Sequence, residues 1–81
     1  AISPGPVETP MVKAVHSSAG RESWLTHLPL RRYAQPEEIA GGVAYLIDPA
    51  QSSYVTGHIL AIDGGFTAGG TIRPMEVGRA V

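Results

Sequence analysis

Cysteine is absent from this chain of 81 residues, which excludes disulfides and thiolate metal sites. Charge is scarce: 16% of the residues are Asp, Glu, Lys or Arg, the net charge is -1, and no run of like charge occurs. Arg31-Arg32 is the only basic pair, and no basic stretch surrounds it, so no nucleic-acid or membrane-surface partner is expected. No apolar run approaches the roughly 20 residues needed to span a bilayer. The N-terminus has neither the basic region nor the apolar core of a signal peptide, and a cytoplasmic location is expected. His16, His27 and His58 show neither His-x3-His nor His-Glu-x2-His spacing, and no acid or thiol cluster supports them, so no metal is expected. A Gly-x-Ser-x-Gly elbow is also missing, which leaves a hydrolase unsupported. Nor is there an initiator methionine: Ala1-Ile2 runs straight into Ser3-Pro4-Gly5-Pro6.

The chain is 43% hydrophobic, too apolar for a disordered segment. A chain of about 60 to 80 residues buries only about 60% of the surface its unfolded form exposes, and it needs support from elsewhere. A partner, or further chain, is the expected source of that support.

Residues 35–48 carry the clearest helical pattern. Pro36 suits the first helical position, Glu37 and Glu38 suit the helix dipole, and Ile39, Val43, Leu46 and Ile47 form an apolar stripe that Pro49 ends. Gly41 and Gly42 sit inside this helix, where each costs on the order of 1 kcal/mol relative to alanine. Either they mark a kink or they let another backbone approach closely, and close packing is the preferred reading. Residues 58–63 are nearly all apolar and bounded by glycines, as expected of a strand in a parallel sheet. Between Val12 and Leu30 the pattern is mixed and predicts a loop region with one or two short helices, separated by residues 17–20. The stretch 66–81 has no clean period and is expected to be disordered or docked on a partner. Ala1-Ile2-Ser3 before the proline, the helix and the strand at 58–63 make a β-α-β crossover whose first strand looks cut. Two strands and one helix leave sheet faces uncovered, so the segment is expected to belong to a larger sheet.

Three stretches, in order, resemble one known family. Residues 4–9, PGPVET, resemble a Pro-Gly-x-(Ile/Val)-x-Thr motif. Residues 29–40, PLRRYAQPEEIA, resemble Pro-Leu-Gly-Arg-x-Gly-x-Pro-Glu-Glu-Ile-Ala, with Arg31 and Ala34 at its two glycine positions. Residues 54–65, YVTGHILAIDGG, resemble Val-Thr-Gly-x-x-(Leu/Ile)-x-(Val/Ile)-Asp-Gly-Gly. The family is the short-chain dehydrogenases/reductases, and the resemblance is to their C-terminal part. The fold it implies is α/β, the last portion of a Rossmann-type doubly wound parallel sheet. Residues 1–9 would be the end of the sixth strand and the cofactor loop, 10–33 a substrate flap, 35–48 a helix, 58–63 the last strand and 66–81 a tail. The family's Gly-x3-Gly-x-Gly loop is not found, since Thr71 follows Gly65 and Gly69 at the third position. Its Tyr-x3-Lys is not found either: Tyr33, Tyr45 and Tyr54 precede Glu37, Pro49 and His58, and Lys13 follows Thr9.

On the residues alone, PGPVET is a proline–glycine turn leaving a strand. The resemblance implies that Pro4, Gly5, Pro6, Val7 and Thr9 bind NAD or NADP. The Val7 backbone would hold the nicotinamide carboxamide, Thr9 would assist nearby, and Gly5 would permit positive φ and close approach of the ligand. Met11, Trp24 and Leu28 either line a substrate pocket or cap the core of the flap, and Met11 and Trp24 are assigned to substrate. Glu8 reads as solvated, Asp63 as the tie of a turn in which glycines take positive φ, and Arg32 as a partner of Glu37 or Glu38. No catalytic residue is assigned. The implied activity is NAD(P)-dependent interconversion of an alcohol and a carbonyl, in a homo-oligomer (tetramer or dimer) built through the helix and last strand. The alternative is a non-catalytic fragment or an oligomerising interaction segment.

Overall fold

The computed structural model describes residues 1–68. Its elements are β1 (Ile2–Pro4), α1 (Pro10–Val15), α2 (Ser18–Thr26), α3 (Pro36–Ile47), α4 (Pro49–Ser52) and β2 (Leu60–Ile62), followed by a 3-10 turn over Phe66–Ala68. β1 and β2 pair in parallel with Ile2 opposite Leu60, Ser3 opposite Ala61 and Pro4 opposite Ile62. The expected β-α-β crossover is therefore present, with α3 packed on both strands. β2 covers Leu60–Ile62 and is shorter than the stretch 58–63. The Leu60 N–H donates to the Ala1 carbonyl at 3.0 Å, and the Gly5 N–H donates to the Ile62 carbonyl at 3.0 Å. The Ala1 amino group also donates to the His58 carbonyl at 3.3 Å, and Ile59 between these links is exposed. Pro4 occupies the last paired position of β1 and does not stop the strand before it.

α3 begins where the sequence predicts. The Gln35 N–H donates to Glu38 Oε1 at 2.8 Å, so the third helical residue reaches back to the N-cap backbone. Asp48 closes α3 and opens α4, where its carboxylate accepts from the Ala50 N–H at 2.9 Å. The face turned to the sheet runs Ile39, Gly42 and Leu46, all half-buried. Val43 and Ile47 of the expected stripe are exposed, because two strands are too narrow to cover the whole arc.

The two mid-helix glycines differ. A Cβ on Gly42 would overlap Ile62 Cδ1 and come within 3.4 Å of Ile62 Cγ1, so this glycine lets the helix sit down on β2. A Cβ on Gly41 would meet nothing within 4 Å, so the close-packing reading holds for Gly42 alone.

Helix structure in the flap is more extensive than the sequence suggests. The Thr9 hydroxyl caps α1 and the Ser17 hydroxyl caps α2, accepting from the Gly20 N–H at 3.0 Å. The stretch 17–20 thus contains the cap and first turn of α2 and is not a long separator. Among the described residues, the buried hydrophobics are only Leu28 and Tyr33. Leu28 is core and not a pocket residue. Large apolar side chains elsewhere lie in the open, including Tyr54 at 99% and Ile47 at 73% exposure. The sheet face that carries Ala61, opposite α3, is exposed at that residue. The tail expectation for 66–81 falls largely on residues 69–81, outside the described residues.

Candidate active site

Beyond β1 the chain continues extended, and Val7 bridges Ala34 in parallel. The Glu8 N–H donates to the Ala34 carbonyl at 2.8 Å, and the Ala34 N–H donates to the Pro6 carbonyl at 3.0 Å. In this parallel bridge Ala34 bonds the residues that flank Val7, so the N–H and C=O of Val7 itself face the opposite edge. Among the described residues nothing partners either group of Val7. A donor and an acceptor on one peptide edge are thereby left at the carboxyl end of β1.

That edge belongs to a cleft of about 550 Å³. Pro4, Gly5, Pro6, Val7 and Thr9 all line it, and Met11 and Trp24 line it from the flap. The structure thus brings every sequence-assigned site residue together. Thr9 also serves α1: its Oγ1 accepts from the Val12 N–H at 3.1 Å, which leaves its own proton to donate. Gly5 does not use the positive φ that glycine permits. A Cβ there would stand 2.9 Å from Asp63 Cα and 3.1 Å from the Asp63 carbonyl oxygen, so the close approach this glycine permits is that of the 63–65 turn.

Asp63 does tie that turn. Its carboxylate accepts from the Gly65 N–H at 3.0 Å, the Thr67 N–H at 3.0 Å and the Thr67 hydroxyl at 2.7 Å. The Thr67 hydroxyl bond, with help from the backbone donors, holds its pKa below the ordinary value. Gly64 and Gly65 take φ of 64° and 95°.

Sequence reasoning missed His16, Phe66 and Thr67, which also line the cleft. Phe66 packs on Trp24 with ring centroids 5.4 Å apart, and this contact joins the 3-10 turn to α2. No local spacing announces His16 and Phe66, because their partners Tyr33 and Trp24 lie 17 or more positions away in the chain, whereas Thr67 is bonded to Asp63 four residues before it. Glu8 was expected to be solvated. Instead both its oxygens take the Arg21 guanidinium, one of them at 3.1 Å, which lowers the Glu8 pKa and raises that of Arg21. The same guanidinium lies 4.6 Å over the Tyr33 ring. Tyr33 in turn bonds His16 Nδ1 through its hydroxyl at 2.7 Å. Arg32 chooses Glu38 over Glu37, in a bidentate pair at 2.9 and 2.8 Å.

With this geometry in hand, comparison with known proteins decides the family. The family model for enoyl-(acyl carrier protein) reductases matches residues 1–67. This chain belongs to the short-chain dehydrogenase/reductase family. It is 40% identical over 67 residues to the ribulose-forming D-arabinitol 2-dehydrogenase of Scheffersomyces stipitis, a match covering 80% of this chain and 24% of the relative. Among solved structures it resembles a candidate D-mannonate oxidoreductase of Haemophilus influenza with bound NAD, at TM-score 0.78 and 29% identity, covering 88% of this chain and 28% of that one. It also resembles a gluconate 5-dehydrogenase of Burkholderia cenocepacia in complex with NADP and tartrate, at TM-score 0.74 and 31% identity, covering 85% and 27%. The parallel strands and flanking helices are thus part of a Rossmann-type short-chain dehydrogenase/reductase fold. The chain spans about a quarter of the length of the curated relatives it matches.

Within the family the left-handed backbone at Arg31 gains a reason. Its φ is 57°, and it stands at a position where the family motif has glycine.

Proposed function

We propose that this chain is the C-terminal part of an NAD- or NADP-dependent oxidoreductase that interconverts an alcohol and a carbonyl. In this reading residues 1–9 form the nicotinamide-side loop, and α1 and α2 form the substrate flap. The observation that carries it is the free donor–acceptor edge of Val7 inside the cleft. A primary carboxamide offers the complementary pair, an N–H donor and a C=O acceptor in one plane, so the site fits the group. Pro4 and Pro6 stiffen the wall on either side of Gly5, and Thr9 contributes a hydroxyl proton. Met11 and Trp24 close the flap side with apolar surface that excludes water from a bound substrate. A bound nicotinamide supplies the hydride chemistry, and this segment supplies orientation. The proton donor is assigned to residues outside this segment, since Tyr-x3-Lys does not occur in it.

A second reading, a segment whose role is assembly, draws on the exposed apolar surface of α3 and the approach to β2. Ile47 and Ile59 are 73% and 65% exposed there. The two readings are compatible, with that face as the subunit interface of a homo-oligomer.

The test uses the chain's single tryptophan, Trp24, which lies in the cleft. Titration of the intact protein with NADH and with NADPH should quench the Trp24 emission, the part of the signal lost in Trp24→Phe, saturably with at least one of them. Val7→Pro, which deletes the N–H donor, should weaken that binding roughly tenfold, the effect of losing about one hydrogen bond. Quenching that never saturates, or that is unchanged in Val7→Pro, would overturn the reading.

A further inference from the structure

Glu8, Arg21, Tyr33 and His16 form one connected chain of contacts that the cofactor reading does not use. Glu8 follows the Val7 edge, Arg21 is on α2, Tyr33 precedes α3 and His16 caps the end of α1. Each inner link is occupied on both sides. Glu8 takes the guanidinium of Arg21, that guanidinium covers the Tyr33 ring, and the Tyr33 hydroxyl meets His16 Nδ1 at 2.7 Å. The His16 and Tyr33 rings meet edge to face, 5.7 Å apart at 81°, so the imidazole is fixed in orientation as well as by its bond. Tyr33 is buried at 6% exposure, whereas His16 is half-buried and lines the cleft. The second ring nitrogen of His16 has no partner among the described residues. A part-buried chain braced at every link but one, and ending in the cleft, has the form of a supporting shell for a recognition group.

We infer that His16 is a specificity-determining residue, which donates a hydrogen bond from Nε2 to an oxygen of the substrate away from the reacting carbon. In this assignment the phenol of Tyr33 is the donor to Nδ1, which puts the imidazole proton on Nε2 and makes that nitrogen a donor. The ligand atom is therefore an acceptor, a hydroxyl or carboxylate oxygen. The rest of the substrate lies against the apolar side chains of Met11, Val12 and Trp24. Tyr33 and Arg21 are positioning residues, acting on substrate only through His16. This inference rests on the oxidoreductase reading for its substrate class, but the geometry at His16 stands apart from it.

Three five-carbon ketones with a common skeleton test the inference: 2-pentanone, 5-hydroxy-2-pentanone and 4-oxopentanoate. Long-range proton–nitrogen spectra of the intact protein, assigned with His16→Gln, should show His16 as the Nε2–H tautomer. Tyr33→Phe should abolish that preference while leaving the fold intact. The hydroxylated ketone or the oxo acid should shift the Nε2 resonance, and 2-pentanone should not. In turnover, His16→Leu should lower kcat/KM for the oxygenated ketone roughly tenfold relative to 2-pentanone, and Tyr33→Phe should act in the same direction. An Nδ1–H tautomer, an Nε2 resonance that responds alike to all three ketones or to none, or an equal loss of turnover on all three would overturn the assignment. A selective Nε2 shift without any NAD(P)-dependent turnover would sink the oxidoreductase reading and support the His16 assignment. Turnover without a selective shift would do the reverse.

Discussion

Replacing Gly41 and Gly42 by alanine, one at a time, separates intrinsic helix propensity from packing at adjacent positions of the same helix. Each change removes a glycine from the interior of α3 and should gain about 1 kcal/mol from propensity alone. At Gly41 the new methyl meets nothing within 4 Å, so the full gain should appear. In a domain of about 150–250 residues, about 1 kcal/mol raises the melting midpoint by roughly 2–4 °C. At Gly42 the methyl overlaps Ile62 Cδ1 and has Ile62 Cγ1 at 3.4 Å and Leu60 Cδ2 at 3.7 Å. Overpacking of this kind costs about 1–3 kcal/mol, which cancels or exceeds the propensity gain. The first offending atom is the end of a flexible side chain, so the cost should lie toward the lower end of that range. Ile62→Val deletes that methyl at a cost of about 0.5–1.5 kcal/mol by itself. Combined with Gly42→Ala it should be better tolerated than the sum of the two, with a coupling of about 1 kcal/mol. Thermal and urea unfolding followed by circular dichroism measure all four proteins. A loss of stability in Gly41→Ala equal to that in Gly42→Ala would refute the reasoning. It would mean that another surface packs over Gly41.

Gly5→Ala should be worse than either, because it meets backbone atoms of Asp63 at 2.9 and 3.1 Å that cannot rotate away. A loss of about 2–3 kcal/mol in chemical denaturation is expected, and a neutral result would show that the 63–65 turn is not held against β1. Arg31→Gly should stabilise the chain. Relief of the left-handed backbone at φ 57° is worth about 1–2 kcal/mol, and the added freedom of the unfolded chain takes back about 0.4–1 kcal/mol. A rise in the melting midpoint checks this, and a fall would mean that the Arg31 side chain makes a contact of its own. Acid should remove the contribution of the Arg32–Glu38 pair in a defined window. Hydrogen bonding to Arg32, then to the Gln35 N–H, lowers the Glu38 pKa from 4.5 to about 2. A depressed carboxylate pKa stabilises the fold above pH 4.5, and the contribution fades as pH falls toward 2. The stability difference between wild type and Glu38→Gln should be flat above that window and narrow through it, and a constant difference down to pH 2 would refute the assignment.

Local chemistry made much of this molecule legible in its sequence. Pro36, Glu37 and Glu38 mark the start of α3, Pro49 marks its end, and the glycines after Asp63 mark a turn, each through a backbone preference that operates within a few residues. The motifs at residues 4–9, 29–40 and 54–65 carried the family for the same reason, since each is a contiguous string. Tertiary structure decided what depends on residues far apart. Only the parallel register of β1 and β2 places Asp63 against Gly5, and only the packing of α3 on β2 places Ile62 against Gly42, which gives those glycines their purpose while leaving Gly41 without one. Only the bridge between Val7 and Ala34 turns the free peptide edge of Val7 outward. Only the fold joins Glu8 to Arg21, 13 residues on, and His16 to Tyr33, 17 residues on. The sequence by itself determined the ends of α3, the turn after Asp63 and the family. Contacts between chain segments, whose geometry no local pattern encodes, decided which side chains face the cleft and which support them.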